Sequence, residues 1–475
     1  MRFVLLALLL LMPALADSAA ERQKKYPDLS LLVERAQSVP PEFAAATLLR
    51  VAASPNIIEI AWKKELVAEA FRLAGMARFP IDKGEWNARP VTFLAFGQRL
   101  DRLSLESAAV RQMMLHDKAK AWELFDSIRM PKITRASCED AVIDNPAAYF
   151  SVLGLVSKLR FGDDLRSRNE QLEWLNHRVS AVQSTVELPL ILHALLESRL
   201  TPVQWKVLVG SLASAIDRIS GGDRAFASTL QIVDVAFEQL ASTIKQAGIN
   251  ADSLISSYRS FLVRHFTAVR CAVNKNVEEQ EASIVKKFNL NYVNPTNPSI
   301  TAIIGNDTKA SSNGSGLKAK PVNADGQLEQ QFYRLMFGGS SRGLSDGDKN
   351  TETWREEFQI YLKNILDAKP QGDESDEAFF LKQVERLTSA AVVVPTGPER
   401  DKVIAGFLSY LKNNNLQQSD FLLWFYQFEQ LAILTNSIRP ADQQKFLAAV
   451  EQTGHPVMSL YAMRERILPQ TLGIE

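Results

Sequence analysis

Apolar residues recur at spacings of three and four along most of this 475-residue chain, and that period predicts helices almost throughout. The clearest runs over 223–247, where Phe226, Leu230, Val233, Phe237, Leu240 and Ile244 share one stripe. Asp223 is placed to cap its start, and Gly248 to end it in the left-handed conformation. Before it, Thr201 caps, Pro202 occupies the first turn, and Trp205, Leu208, Leu212, Ile216 and Ile219 share a face. After it come Leu254, Tyr258, Phe261, His265 and Val269. Further helices are predicted over 28–38, 41–53, 57–76, 104–116, 118–129, 145–159, 165–181 and 186–198. Few stretches alternate with period two, so strands should be rare. Helix after helix joined by short turns predicts an all-α, helical-repeat-like region of irregular antiparallel pairs over 21–290.

The pattern breaks at Asn291. From 291 to 350 the chain is rich in Asn, Ser, Gly, Thr and Pro, and periodicity survives only in an island from Leu328 to Phe337. This reads as a flexible polar linker with one short helix. A second helical domain follows over 351–475. Thr353 and Glu356 have capping-box spacing, and Trp354, Phe358, Leu362 and Ile365 share a face. Pro398 and Pro440 mark helix starts, and Gly454 a helix end. The segment 419–436 packs Phe421, Trp424, Phe425, Tyr426 and Phe428 into eight positions. It reads either as a central helix buried on every side or as an aromatic groove, with Phe421, Trp424 and Tyr426 its candidate binding surface.

The first sixteen residues carry an address. Arg2 precedes an apolar run from Phe3 to Met12, and Ala14-Leu15-Ala16 has the small-x-small form of a signal-peptidase site. The run is too short for a bilayer, which takes about 20 apolar residues. An exported mature chain beginning near Asp17 is expected, periplasmic or secreted, with no transmembrane segment of its own. Export changes how the two cysteines are read. Cys138 and Cys271 can pair in an oxidising compartment, or each can be a small buried hydrophobe. Lys plus Arg equals Asp plus Glu at 54 each, so the basic excess of a nucleic-acid binder is missing.

Motif chemistry is sparse. The five histidines, His116, His177, His193, His265 and His455, form no HExxH and no zinc-like spacing. His193 and Glu197 lie one helical turn apart, which suits a helix-face pair better than a metal site. Acidic residues beside Cys138 suit the start of a helix. No G-x-S-x-G and no phosphate-binding glycine loop occurs. The expectation is therefore no metal and no cofactor.

Three resemblances enter here. Segment 104–131 resembles a tetratricopeptide helix pair, with Ala121 and Phe125 matching the A-x-x-x-F of its second helix. That pattern's first-helix Trp and Gly-Tyr positions are absent, and no second copy follows at its 34-residue period. PPEFAAATLLRVA (40–52), ELVAEAFRLAGMA (65–77), KAWELFDSI (120–128) and CEDAV (138–142) resemble uncharacterised exported helical proteins of soil bacteria. That likeness implies a bacterial, exported, all-helical protein and brings no activity with it. Glu197-Ser198 is similar to the catalytic pair of lytic transglycosylases, which would make Glu197 a general acid in glycan cleavage. Their downstream Gly-apolar-Met-Gln segment is missing.

These readings converge on a non-catalytic exported scaffold or interaction module with a protein or peptide partner. A glycan-cleaving enzyme using Glu197 and a small-ligand or peptide binder using the helix 419–436 are the alternatives. Pairing of the cysteines has a direct check. The exported protein, denatured without reductant, should take up no alkylating agent at Cys138 or Cys271, and two equivalents after reduction. Alkylation of both before reduction would exclude the disulfide.

Overall fold

The computed structural model of the chain describes residues 20–77, 99–131, 145–221, 226–268, 275–293, 299–304, five positions between 328 and 335, and 349–468 apart from a few positions. The proposed signal peptide and both cysteines lie outside these residues, as does the capping position Asp223. Among the described residues there are nineteen helices and no strand, so the chain is all-α. No helix among them is long and apolar enough to cross a membrane.

In chain order the first three helices are α1 (Pro27–Ala36), α2 (Pro41–Ala52) and α3 (Ile60–Ala74). Next come α4 (Arg102–His116), α5 (Lys118–Ser127), α6 (Pro146–Arg160), α7 (Leu165–Ser180), α8 (Glu187–Glu197), α9 (Pro202–Arg218), α10 (Phe226–Gln246), α11 (Asp252–Thr267) and α12 (Lys275–Tyr292). The last seven are α13 (Glu352–Asp367), α14 (Asp376–Val393), α15 (Pro398–Asn413), α16 (Leu416–Ser419), α17 (Phe421–Asn436), α18 (Pro440–Gln452) and α19 (Pro456–Ile467).

The contacts divide the chain differently from its hydropathy. One compact unit joins the residues up to 66 to 318–475, and the other holds 67–76 and 83–317. Helices α1 and α2 therefore belong with the C-terminal helices, although their pattern runs on into the helices that follow. The reason lies in their partners. Helix α1 packs on α19, and the Phe43 ring on α2 meets Phe425 edge-on at 4.7 Å.

In the second unit α4 and α5 pack on each other, and from α6 onward each helix packs chiefly on the next but one. Helices α4, α6, α8, α10 and α12 form one succession, and α7, α9 and α11 another. Stacked neighbours run parallel. At one end of α7 and α9, Gln204 donates to Gln171 Oε1 at 3.0 Å and to the Arg168 carbonyl at 2.8 Å. At the other end Arg218 donates to the Ser180 carbonyl at 3.0 Å. The predicted stripes are the buried ones: Leu230, Val233, Phe237, Leu240 and Ile244 on α10, and Trp205, Leu208, Leu212 and Ile216 on α9.

Helix ends are set by side chains next to them. Asp117 lies between α4 and α5 with φ −157°, and its carboxylate caps α5 by accepting from the Lys120 amide at 3.0 Å. Asp101 does double service, accepting from the Ser104 amide in α4 and the Asn145 amide before α6, each at 3.0 Å. Thr201 and Gln204 form a reciprocal capping box at the start of α9. Gly248 and Gly454 take positive φ, 72° and 66°, at the ends of α10 and α18. One capping expectation shifts. The cap of α13 is Thr351, not Thr353, because its hydroxyl accepts from the Trp354 amide at 3.3 Å.

The polar region 291–350 is not uniformly a linker. Ile300 and Ile303 are buried on the second unit, and Leu335 is buried in the first. Trp354 Nε1 donates to the Leu335 carbonyl at 3.0 Å. Composition hid this, because three or four apolar residues anchor a segment without changing its average polarity.

Close stacking in the second unit depends on Gly154 of α6. A Cβ built there would lie 3.2 Å from Ala194 Cα and 3.1 Å from Glu197 Cβ of α8. Gly154→Ala should therefore force the two helices apart and lose about 1–3 kcal/mol, the usual range for overpacking. Thermal unfolding followed by circular dichroism measures it, and a variant as stable as the parent would refute the close-approach argument.

Candidate functional site

Among the described residues of the first unit, a group of interacting charged side chains lies where α2, α17 and α19 meet. Arg50 on α2 donates to both carboxylate oxygens of Glu465 on α19, at 2.5 and 3.4 Å, and to the Leu468 carbonyl at 2.5 Å. Arg464 donates to the same carboxylate at 3.1 and 3.2 Å. Glu465 is only 6% exposed, so two guanidinium groups share one buried carboxylate. A second carboxylate faces this group. Glu429 is the only charged residue of α17, and burial pushes its pKa up to about 7. Arg464 pulls it down and Glu465 pushes it further up, both more weakly than burial. The Tyr461 hydroxyl is raised above its ordinary value for the same reason, burial first and Glu465 second.

Tyr461 also belongs to an aromatic cluster, with Phe428 edge-on at 4.9 Å. Another face of α19 borders a cleft of about 390 Å³ lined by Arg35, Ser38, Glu451, Gly454, Ser459 and Met463. Glu451 there is held by Arg466 at 2.9 Å. The Arg50–Glu465 pair spans 415 positions of sequence, which no local pattern could connect. Glu429 did carry a signal, a lone charge in a sixteen-residue, largely apolar helix.

The residues singled out from sequence fall elsewhere. Trp424 is 1% exposed, and its indole N–H donates to the Leu411 carbonyl at 2.8 Å. It is a core residue, so the aromatic surface loses its central member. Tyr426 is half-buried, and the Phe421 side chain lies outside the described residues. Glu197 ends α8 on the surface beside Gly154. The hydroxyl of its neighbour Ser198 is spent on the Ala194 carbonyl at 2.6 Å, inside the helix. The likeness of Glu197-Ser198 to a transglycosylase pair stays one of sequence. His265 is buried with Nδ1 at 2.8 Å from the Phe261 carbonyl. His193 makes the same i−4 contact to Pro189 at 2.8 Å. Among the described residues no group of three His, Cys, Asp or Glu is placed to hold a metal. Ala121 and Phe125 are both fully buried.

Comparison with protein-family models, with curated proteins and with solved structures finds no match to this chain. The geometry therefore stands alone. It describes a charge cluster in which Arg50 ties α2 to α19, faced from α17 by Glu429, whose pKa burial raises to about 7.

That pKa has a stability consequence. Folded Glu429 titrates near 7, whereas an unfolded glutamate titrates near 4.5. Between those values the folded state keeps a proton that the unfolded state has lost. The contribution is therefore fully present below about pH 4.5 and disappears as pH rises through about 7. Its size is at most about 3 kcal/mol by linkage. Glu429→Gln should remove this slope, so the variant gains on the parent between pH 5 and pH 8. Parallel melting curves for the two proteins across that range would show that Glu429 does not titrate as placed.

Proposed function

We propose that this protein is an exported helical scaffold that binds a protein or peptide partner, and that it performs no chemistry of its own. The observation that carries the reading is the parallel stacking of next-but-one helices in the second unit. Repeat proteins built this way present long surfaces made of equivalent positions on successive helices, and they use those surfaces for recognition. Fold-level analogy supplies this step, so the surface must be tested directly.

Exposed branched residues supply a place to begin. Val203 and Val207 lie one turn apart on α9, with 74% and 47% of their surfaces in solvent. They adjoin the exposed positions Gly210 and Ser214 on the same face of the helix. The export half of the proposal rests on Arg2, the apolar run to Met12 and the Ala14-Leu15-Ala16 site.

The test uses the whole mature chain, starting at Asp17, as bait against the envelope and secreted fractions of its host. One protein should be recovered in stoichiometric amount. A Val203→Glu/Val207→Glu variant that melts like the parent should recover less than a tenth of it. Failure of the native bait to retain any protein would overturn the scaffold reading. Equal recovery by the variant would move the surface away from α9. Amino-terminal sequencing of the protein from those fractions should begin near Asp17, and an intact Met1 would refute export.

A further inference from the structure

We propose that His455 is a proton-sensitive latch: its neutral ring pins the start of α19, and with it one wall of the neighbouring cleft, and acid releases both. The latch needs no partner and lies within the first compact unit.

A chain of three hydrogen bonds fixes the protons on the ring. The Gln417 amide nitrogen donates to the Lys412 carbonyl at 3.1 Å, which turns Gln417 Oε1 toward His455. His455 Nε2 lies 2.6 Å from that oxygen, which can only accept, so Nε2 carries a hydrogen. Nδ1 is left as an acceptor, and it caps α19 by taking the Met458 amide hydrogen at 3.4 Å. The ring therefore works in one form, neutral with its proton on Nε2. Its backbone is held as well. The His455 amide donates to Thr453 Oγ1 at 3.2 Å, and its carbonyl accepts from the Ser459 amide at 2.8 Å.

Thr351 and Ser375 cap α13 and α14 through hydroxyl oxygens, which cap at any pH. An imidazole does not. A second proton on Nδ1 turns the acceptor into a donor aimed at the Met458 N–H, and sets a positive charge at the positive end of the helix dipole. The surroundings push the same way. Lys412 on α15 acts on the ring through its own positive charge. Gln417 on α16 and the Trp424 ring on α17, 5.0 Å away between centroids, do not titrate. Glu451 on α18 is tied to Arg466. Burial first, and Lys412 second, lower the His455 pKa below its ordinary 6.5. The latch is thus at full strength above pH 6.5 and weakens as pH falls through the lower folded value, opposite in sign to Glu429. Gly454, Pro456, Ser459 and Leu460 flank His455 and line the cleft, so a ring that leaves its seat reshapes that wall. The far end of α19 stays tied by Arg50 to Glu465, which confines release to the first turn.

Hydrogen exchange on the full chain tests the latch, with rates corrected for the intrinsic effect of pH. From pH 7.5 to pH 5, protection of the Met458, Ser459 and Leu460 amides should fall by about five- to thirtyfold, the range linkage gives for a released ring titrating at 6.5. Amides in the last turn of α19 should keep theirs. His455→Asn retains a capping oxygen that does not titrate, so its first-turn protection should be the same at both pH values. Glu429 titrates in both proteins alike and cancels. No fall in the parent, or an equal fall in parent and variant, would overturn the proposal. A fall at Met458 alone would also overturn it, because the proton would then break one hydrogen bond and release nothing.

If the variant does not fold, nitrogen-15 NMR of the parent with labelled histidine decides. His455, identified by its contact with the Trp424 ring, should carry its proton on Nε2 at pH 7.5 and gain the second with a midpoint below 6.5. A proton on Nδ1 at pH 7.5, or a midpoint above 6.5, would overturn the latch.

Discussion

Helix α8 imposes the constraint on which the second unit depends. Its eleven residues are apolar nearly all round, and Leu188, Pro189, Ile191, Leu192, Ala194 and Leu195 are all buried. Only His193 and Glu197, one turn apart, are exposed, with Leu190 and Leu196 half-buried. A helix of this kind must be covered on more than one side, and a single antiparallel neighbour cannot do that. Helices α6 and α10 do it together, each packing along α8. Burial of one unusually apolar helix thus forces next-but-one stacking, and the glycine at 154 lets α6 come close enough to complete it.

Polar groups then set the register of the stack. Gln171 of α7 is buried, and its amide nitrogen donates to the Ser157 carbonyl, the Ser157 hydroxyl and the Ser198 carbonyl. Its oxygen accepts from Gln204 of α9 and from Arg168. One side chain thereby engages the ends of α6 and α8 and the start of α9. A buried amide left short of partners costs far more than an exposed one, so this network tolerates only one alignment of the helices. Arg199, with a φ of 50°, sits in the turn where Ser198 and its own carbonyl are held by Gln171 and Arg168. The turn keeps an uncommon conformation because both sides of it are tied down.

The first unit meets a different demand with different chemistry. Its chain ends are far apart in sequence, and Arg50 joins them by spending its fork on Glu465 and Leu468. Pairing makes the burial of Glu465 tolerable, whereas burial raises the pKa of the neighbouring Glu429 to about 7. Breaking the pair by removing one partner would cost more than the pair is worth, because it strands a buried charge.

The sequence by itself determined the all-α class, most helix boundaries to within two or three residues, and the buried stripes of α9, α10, α11 and α13. These are local matters: period, caps, Pro at helix starts and Gly at helix ends act within a turn or two. It also marked Thr201 with Pro202, Gly248 and Gly454 as terminators. What it left undecided was which helix covers which. Hydropathy gave α1 and α2 to the helices that follow, and only Phe43 and Arg50 in place show them packed on α17 and α19. The aromatic run around Trp424 reads equally as core or groove until the Leu411 carbonyl is seen to take its N–H. Polar composition made a linker of residues that two isoleucines and one asparagine pin to a helix pair. Each of these depends on partners between 13 and 415 positions away. Burial and pairing at that range are properties of the packed chain, and no periodicity within a segment encodes them.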